Sequence, residues 1–357
     1  MRYDPRVRRG VLSALLAAAL FGATAPIAKL LLPDSGPLSL GGLLYLGAGL
    51  GLVVVSAVRR PPPEAALRRS DLPTLFGMIV AGGIIGPALM LAGLVRLSGM
   101  AGALLLNLEA PLTMLLAVAF FGEHLSPLEA AGAALVVAGA GALGLRPGEI
   151  AGATGDVPVG VVLLSGACLA WGLDNNLAAR LALRDPVALA RAKTLGAGAA
   201  LMVLGLATGA RLPPLPLAGL ALVVGALGYG ASLVLAYRAA RALGAARQAA
   251  YFASAPFIGA GLAVPLLGER PVTIDVVAAA AMLVGVGLLA RARHSHAHTH
   301  APVEHDHAHL HDEHHHHEHD GAGTGDSQAQ MHSHMHRHDA VTHEHAHVSD
   351  AHHRHRH

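Results

Sequence analysis

The chain has 357 residues, of which 53% are hydrophobic and 13% charged, with a formal net charge of +2; its mean hydropathy is +0.50. Soluble globular domains carry roughly 25% charged residues, so the composition excludes an ordinary soluble domain and indicates an integral membrane protein. The net charge is uninformative about partners, because every one of the 25 histidines except His124 follows residue 293.

The N-terminus imitates a signal peptide, with arginines, an apolar run and then Ala23-Thr24-Ala25. The run continues to Leu32, too long for a signal h-region, and Pro26 follows the supposed cleavage point. A retained first transmembrane helix is the expectation. Cys168, the single cysteine, sits in an apolar run and reads as a small buried hydrophobe, so no intramolecular disulfide is available.

Windows apolar enough to cross about 30 Å of hydrocarbon fall near residues 11–32, 37–58, 73–95, 98–121, 127–146, 158–179, 187–209, 215–236, 244–267 and 271–291. Ser126-Pro127-Leu128-Glu129 supplies an N-cap serine, proline at N1 and glutamate at N3, which starts the fifth helix. Pro271 and Asp275 mark the tenth in a similar way. Basic residues are uneven. Arg2, Arg6, Arg8, Arg9, Arg59, Arg60, Arg68, Arg69, Arg180, Arg184, Arg238, Arg241, Arg291 and Arg293 fall on one side, against Arg96, Arg146, Arg211 and Arg270 on the other. The positive-inside rule then places both termini in the cytoplasm, and a bacterial inner membrane is the expected location.

One stretch occurs twice. Residues 97–125, LSGMAGALLLNLEAPLTMLLAVAFFGEHL, are echoed by 243–270, LGAARQAAYFASAPFIGAGLAVPLLGER. Aligning Pro111 with Pro256 also aligns Arg96 with Arg241 and Gly99 with Gly244; Gly122-Glu123 meets Gly268-Glu269 after one inserted residue. A doubled helix implies a doubled surrounding unit. Five spans per unit is an odd number, so the second unit enters the membrane inverted, the architecture of secondary transporters with a midplane site between the halves. The expected fold is all-α and membrane-integral, with ten transmembrane helices as two inverted five-helix repeats. Residues 1–146 form the first repeat, 147–157 a linker, 158–293 the second repeat and 294–357 a disordered tail. Helices rich in glycine and alanine suit close contact in lipid.

LEAPLTMLLAVAFFGEHLSPLEAAGAALVVAGAGAL resembles the hallmark region of the EamA family, in the drug/metabolite transporter superfamily: a fourth helix with a central proline and a Gly-Glu end, then a glycine-rich fifth helix. SAPFIGAGLAVPLLGERPVTIDVVAAAAMLVGVGLLA is similar to the same region of the second repeat, and FGATAPIAK (21–29) and ACLAWGLDNNL (167–177) to the helices that open each repeat. Phe21 stands where a tryptophan is common, whereas Trp171 is present in the second copy. The resemblance implies an alternating-access exporter of amino acids, metabolites or drugs without naming the solute.

Glu109 lies near the middle of the fourth helix, where an acid is costly and expected to face a cavity or partner. Pro111 frees a carbonyl near Asn107, a candidate lining group. The counterpart of Glu109 is Ser254, so the expected path, with Pro111 and Pro256 in both copies, is asymmetric in charge. Asp174, Asn175 and Asn176 sit late in the sixth helix, Arg191 and Lys193 early in the seventh; an Asp174–Lys193 pair across that hairpin is expected, either structural or as a gate. Lys29 and Arg247 lie one turn from helix ends and are expected to snorkel to the interface, and Glu123 and Glu269 to belong to the turns that start the fifth and tenth helices.

After His294 the composition changes to HSHAHTH, EHDHAHLHDEHHHHEHD, MHSHMHRHD and THEHAH. Without apolar residues for a core, disorder is expected. Histidines at i and i+2 of an extended chain project to one side and can clamp a cation. Neutral imidazole without thiolate suits Ni, Co, Zn or Cu, and His305, His307, His309, His311, His314, His315, His316, His317 and His319 are the candidate non-specific ligands. The expected partners are the bilayer, a small-molecule or cation substrate and a second copy as a homodimer, with no required cofactor and no nucleic acid. Metal efflux and a non-transporting metal buffer or sensor are the alternatives. No phosphate-cradling loop, nucleophile elbow or HExxH motif is present, so no enzyme is expected.

Overall fold

In the computed structural model, ten helices among the described residues are long and apolar enough to cross a membrane: α1 (Val7–Asp34), α2 (Pro37–Val58), α3 (Arg69–Leu94), α4 (Gly99–Phe120), α5 (Pro127–Gly144), α6 (Val157–Arg180), α7 (Pro186–Ala207), α8 (Leu215–Leu243), α9 (Arg247–Leu267) and α10 (Thr273–Arg291). The structure describes residues 5–59, 65–121, 125–145, 156–182 and 184–291, together with the backbone of four strands in the tail. Gly122, Glu123, His124 and all but the last two residues of the 147–157 linker lie outside these residues.

The expected helix starts form for the expected reasons. The Ser126 hydroxyl accepts from the Glu129 amide at 3.3 Å, and the Glu129 carboxylate accepts from the Ser126 amide at 2.8 Å. Asp275 accepts from the Val272 amide at 3.0 Å ahead of α10. Large apolar side chains such as Val54, Phe76, Phe120, Val162, Val203 and Leu283 are exposed on the outside of the bundle, as a hydrocarbon solvent requires.

The helix contacts repeat under exchange of the two halves. α1 packs on α8 and α9, and correspondingly α6 packs on α3 and α4; α2 packs on α8 as α7 packs on α3. The remaining close pairs, α2 with α7, α4 with α9 and α5 with α10, join equivalent helices across the pseudo-two-fold axis. Their approach depends on missing side chains. At the α5–α10 crossing a Cβ on Gly285 would lie 2.7 Å from the Gly132 carbonyl oxygen, and one on Gly132 would lie 2.8 Å from that of Gly285. Close backbone contact of this kind drives helix association where the solvent is itself apolar.

Two further pairs of irregularities obey the same symmetry. α3 widens into a π-helical segment at Ile79–Ile85 and α8 does so at Ala226–Ala231. α4 is interrupted at Leu106–Leu108 and α9 at Ala253–Ser254, in each case just before Pro111 or Pro256. Non-helical backbone at membrane depth is tolerated where it is buried in protein or lines a cavity.

The described backbone of the tail forms β1 (His294–His300), β2 (Val303–His309), β3 (His332–His338) and β4 (Val341–His347), with β1 antiparallel to β4 and β2 antiparallel to β3. Alternation of histidine with a second residue has the period of two of a strand. The register sets His296 opposite His345 and His305 opposite His336.

Candidate functional site

The broken α4 shapes the centre of the molecule. Its tightened turn sends the Glu109 amide to the Leu106 carbonyl, and the carbonyl of Leu105 instead accepts from the buried Cys168 thiol at 3.6 Å. Pro111 brings no N–H to the turn. Glu109 therefore begins the second half of α4, directed at α6.

There it meets Asn175, whose amide donates to a Glu109 carboxylate oxygen at 2.8 Å and more distantly to the Thr113 hydroxyl at 3.4 Å. Asn176, buried, donates to the Thr113 carbonyl at 3.1 Å and to the Gly172 carbonyl at 2.8 Å. Asp174, 4% exposed, accepts from the Lys193 ammonium through one carboxylate oxygen. Its other oxygen, Oδ1, is buried without a hydrogen-bond partner. Among the described residues Glu109 forms no ion pair.

The π-helical turn of α3 closes the cluster. The Gly82 carbonyl accepts from the Tyr45 hydroxyl at 2.9 Å and from the Trp171 indole at 3.0 Å. Any side chain at Gly82 would collide with the carboxylate of Asp174, so glycine is what lets this carbonyl and the Asp174–Lys193 pair share one level. From Tyr45 a run of rings extends across the seam. Tyr45 lies 5.7 Å from Tyr229, Tyr229 lies 5.7 Å from Phe21 at near edge-to-face, and Phe21 lies 5.2 Å from Phe252. The whole chain contains only six phenylalanines, five tyrosines and one tryptophan, so this concentration is not background.

Of the residues singled out in the sequence, Glu109, Asp174, Asn175 and Lys193 converge. Asn107 does not join them: it is 5% exposed and donates to the Leu104 carbonyl at 2.9 Å and towards the Met282 sulfur of α10. Pro111 is buried beside the turn it helps to break. Ser254 and Pro256 lie at the equivalent break in α9, where the Ser254 hydroxyl donates to its own neighbour, the Tyr251 carbonyl, at 2.7 Å. Thr113, Gly82, Tyr45, Trp171 and Tyr229 were missed. The rarity of aromatic residues, and their position in helices 1, 2, 6 and 8, was the one available signal. His305, His307 and His309 fall on β2, while His311, His314, His315, His316, His317 and His319 lie outside the described residues. Among the described residues no group of three or more His, Cys, Asp or Glu is placed to hold a metal ion.

Two other expectations change. Lys29 does not snorkel; its ammonium donates to the carbonyls of Leu94 and Leu97, at 2.5 and 2.6 Å, and so caps the C-terminal end of α3. Glu269 does not serve only its own turn. It reaches the other repeat and accepts from the amides of Gly99 and Met100, at 2.5 and 2.9 Å, at the start of α4. A cation at a helix C-terminus and an anion at an N-terminus both suit the helix dipole. Together they clasp the α3–α4 turn from both repeats. Arg247 is exposed.

Fold and site define a helical, multi-pass membrane protein built as two five-helix repeats around a polar and aromatic seam. The sequence pattern of the EamA-like transporter family matches residues 8–145 and 158–291, and the chain belongs to that family of membrane transporters. It is 29% identical over 290 residues to an uncharacterized transporter of Methanothermobacter thermautotrophicus, covering 77% of this chain and 84% of the relative. A solved crystal structure superposes with a TM-score of 0.56 at 19% identity, over 78% of this chain and 96% of its own length, a likeness of fold.

Proposed function

We propose that the protein is a secondary transporter that exports a small metabolite, amino acid or drug along the seam between its two repeats, by alternating access. The observation that carries this reading is the convergence, beside a broken helix, of Glu109, Asn175, Asp174 and Lys193 from α4, α6 and α7. Ionisable groups at this depth are costly and rarely retained without a role in a substrate or ion path. Paired interruptions in α4 and α9 provide backbone that can re-form as the repeats rock against one another. Glu109 is the substrate or coupling residue, and the Asp174–Lys193 pair lines or gates the path. No chemical reaction is assigned to the protein.

Ten crossings leave both ends of the membrane part on one face; the arginine asymmetry supports the cytoplasm as that face, and the proposed location is a bacterial inner membrane. The test is solute flux in proteoliposomes: Glu109→Gln is expected to lower flux at least tenfold while the protein still folds. Full flux with Glu109→Gln would remove the assignment. A second reading, efflux of nickel, cobalt or zinc gathered by the tail, is favoured by a strand register that sets histidine opposite histidine. Unchanged metal tolerance on deletion of the gene would argue against it.

A further inference from the structure

We propose that the seam binds an organic ammonium ion with a small apolar or aromatic body, an inference that rests on the transport reading and names the substrate class for it. Three observations carry it. First, the side-chain amide and indole donors around the site, and the Tyr45 hydroxyl, are spent. Asn175 and Asn176 are used on Glu109, Thr113 and Gly172, and Tyr45 and Trp171 both donate to the Gly82 carbonyl, filling its two lone pairs.

Second, what remains open is acceptor capacity and negative charge. Asp174 Oδ1 is buried without a partner, a costly state for a carboxylate oxygen unless a ligand supplies the missing donor. Glu109 is held by one neutral amide and forms no ion pair among the described residues. Two carboxylates face one ammonium, Lys193, so the ionised site carries one negative charge in excess. A ligand that brings N–H donors and one positive charge completes it; a carboxylate or phosphate ligand does not.

Third, the adjoining wall is aromatic. Tyr45, Tyr229 and Phe21, from α2, α8 and α1, form a continuous run of half-buried rings, and the negative face of an aromatic ring attracts a cation. Such a wall also covers an apolar body.

Trp171 is the one tryptophan in the chain and touches the site, so its emission reports occupancy. The full-length protein, purified in detergent, is titrated with three probes that share a phenylethyl body: 2-phenylethylammonium, 2-phenylethanol and 3-phenylpropionate. The ammonium is expected to give a saturable change in Trp171 emission at least tenfold tighter than either of the others. Glu109→Gln should weaken it about tenfold, and Tyr45→Leu severalfold, with thermal melting of both variants checked against the parent. No saturable change with the ammonium, equal or tighter binding of the propionate, or unaltered affinity in a folded Glu109→Gln protein would each overturn the assignment. Entry of radiolabelled choline into vesicles of phosphatidylethanolamine and phosphatidylglycerol then separates the two readings. Ammonium binding without flux of any probe leaves the ligand class standing and removes transport; flux of the propionate without ammonium binding does the reverse.

Discussion

Asp174 and Lys193 are the residues whose removal should be felt most. Their pair is largely buried, with side-chain exposures of 6% and 18%. Taking away Lys193 alone leaves a buried carboxylate uncompensated, a change that costs roughly 3–5 kcal/mol in protein interiors. Lys193→Met should therefore lower the thermal melting point in detergent by many degrees, and the double substitution Asp174→Asn with Lys193→Met should restore most of it. A Lys193→Met protein as stable as the parent would mean the pair is solvated rather than buried. Cys168 offers a second check at this scale. Its thiol is buried against the Leu105 carbonyl at the break in α4, so maleimide should label it slowly in the native protein and quickly after denaturation.

The pair itself was legible in the sequence, because two charges flanking one short turn have few other places to go. Glu109 was legible as a group needing a partner, but the partner was not. Asn175 lies 66 positions away, on a helix whose rotation about its own axis no local pattern sets. Lys29 and Glu269 were misread for the same reason. Each sits near a helix end, where snorkelling or local capping is the usual outcome, and only the packing of the two repeats brings the backbone groups at the helix ends 94–100 within their reach.

At the scale of the element, the irregular turns are the informative features. A π-helical turn leaves a carbonyl out of the regular ladder, and at Gly82 two side chains from other helices satisfy it. Gly82→Ala should displace the Asp174 carboxylate and lower flux without unfolding the bundle, which melting and flux measured together would show. The α5–α10 crossing makes an opposite prediction. Gly285→Val pushes a side chain into the Gly132 backbone and should reduce stability by roughly 1–3 kcal/mol through overpacking, while the distant site keeps its affinity once folded. Pro111 and Pro256 marked the broken helices in the sequence. The π turns carried no comparable signal, since widening by one residue changes neither composition nor apolar period.

For the whole molecule, the membrane part and the tail should be separable. Removing residues 294–357 is expected to leave Glu109-dependent flux unchanged and to abolish most nickel binding measured by calorimetry. Loss of flux on truncation would tie the tail to the transport cycle and favour the metal-cargo reading.

Hydropathy and one repeated helix were enough to indicate ten crossings and a doubled unit, and the motifs at 108–143 and 254–290 carried the resemblance to a transporter family. These properties follow from residues close together in the chain, and the bilayer imposes them on any sequence of that pattern. The tertiary structure alone decided which polar groups meet. The partners of Glu109, Lys29, Glu269 and the Gly82 carbonyl are chosen by how ten similar, glycine-rich helices cross. Those crossings depend on backbone contacts between residues far apart in the chain, so no stretch of it carries the answer by itself.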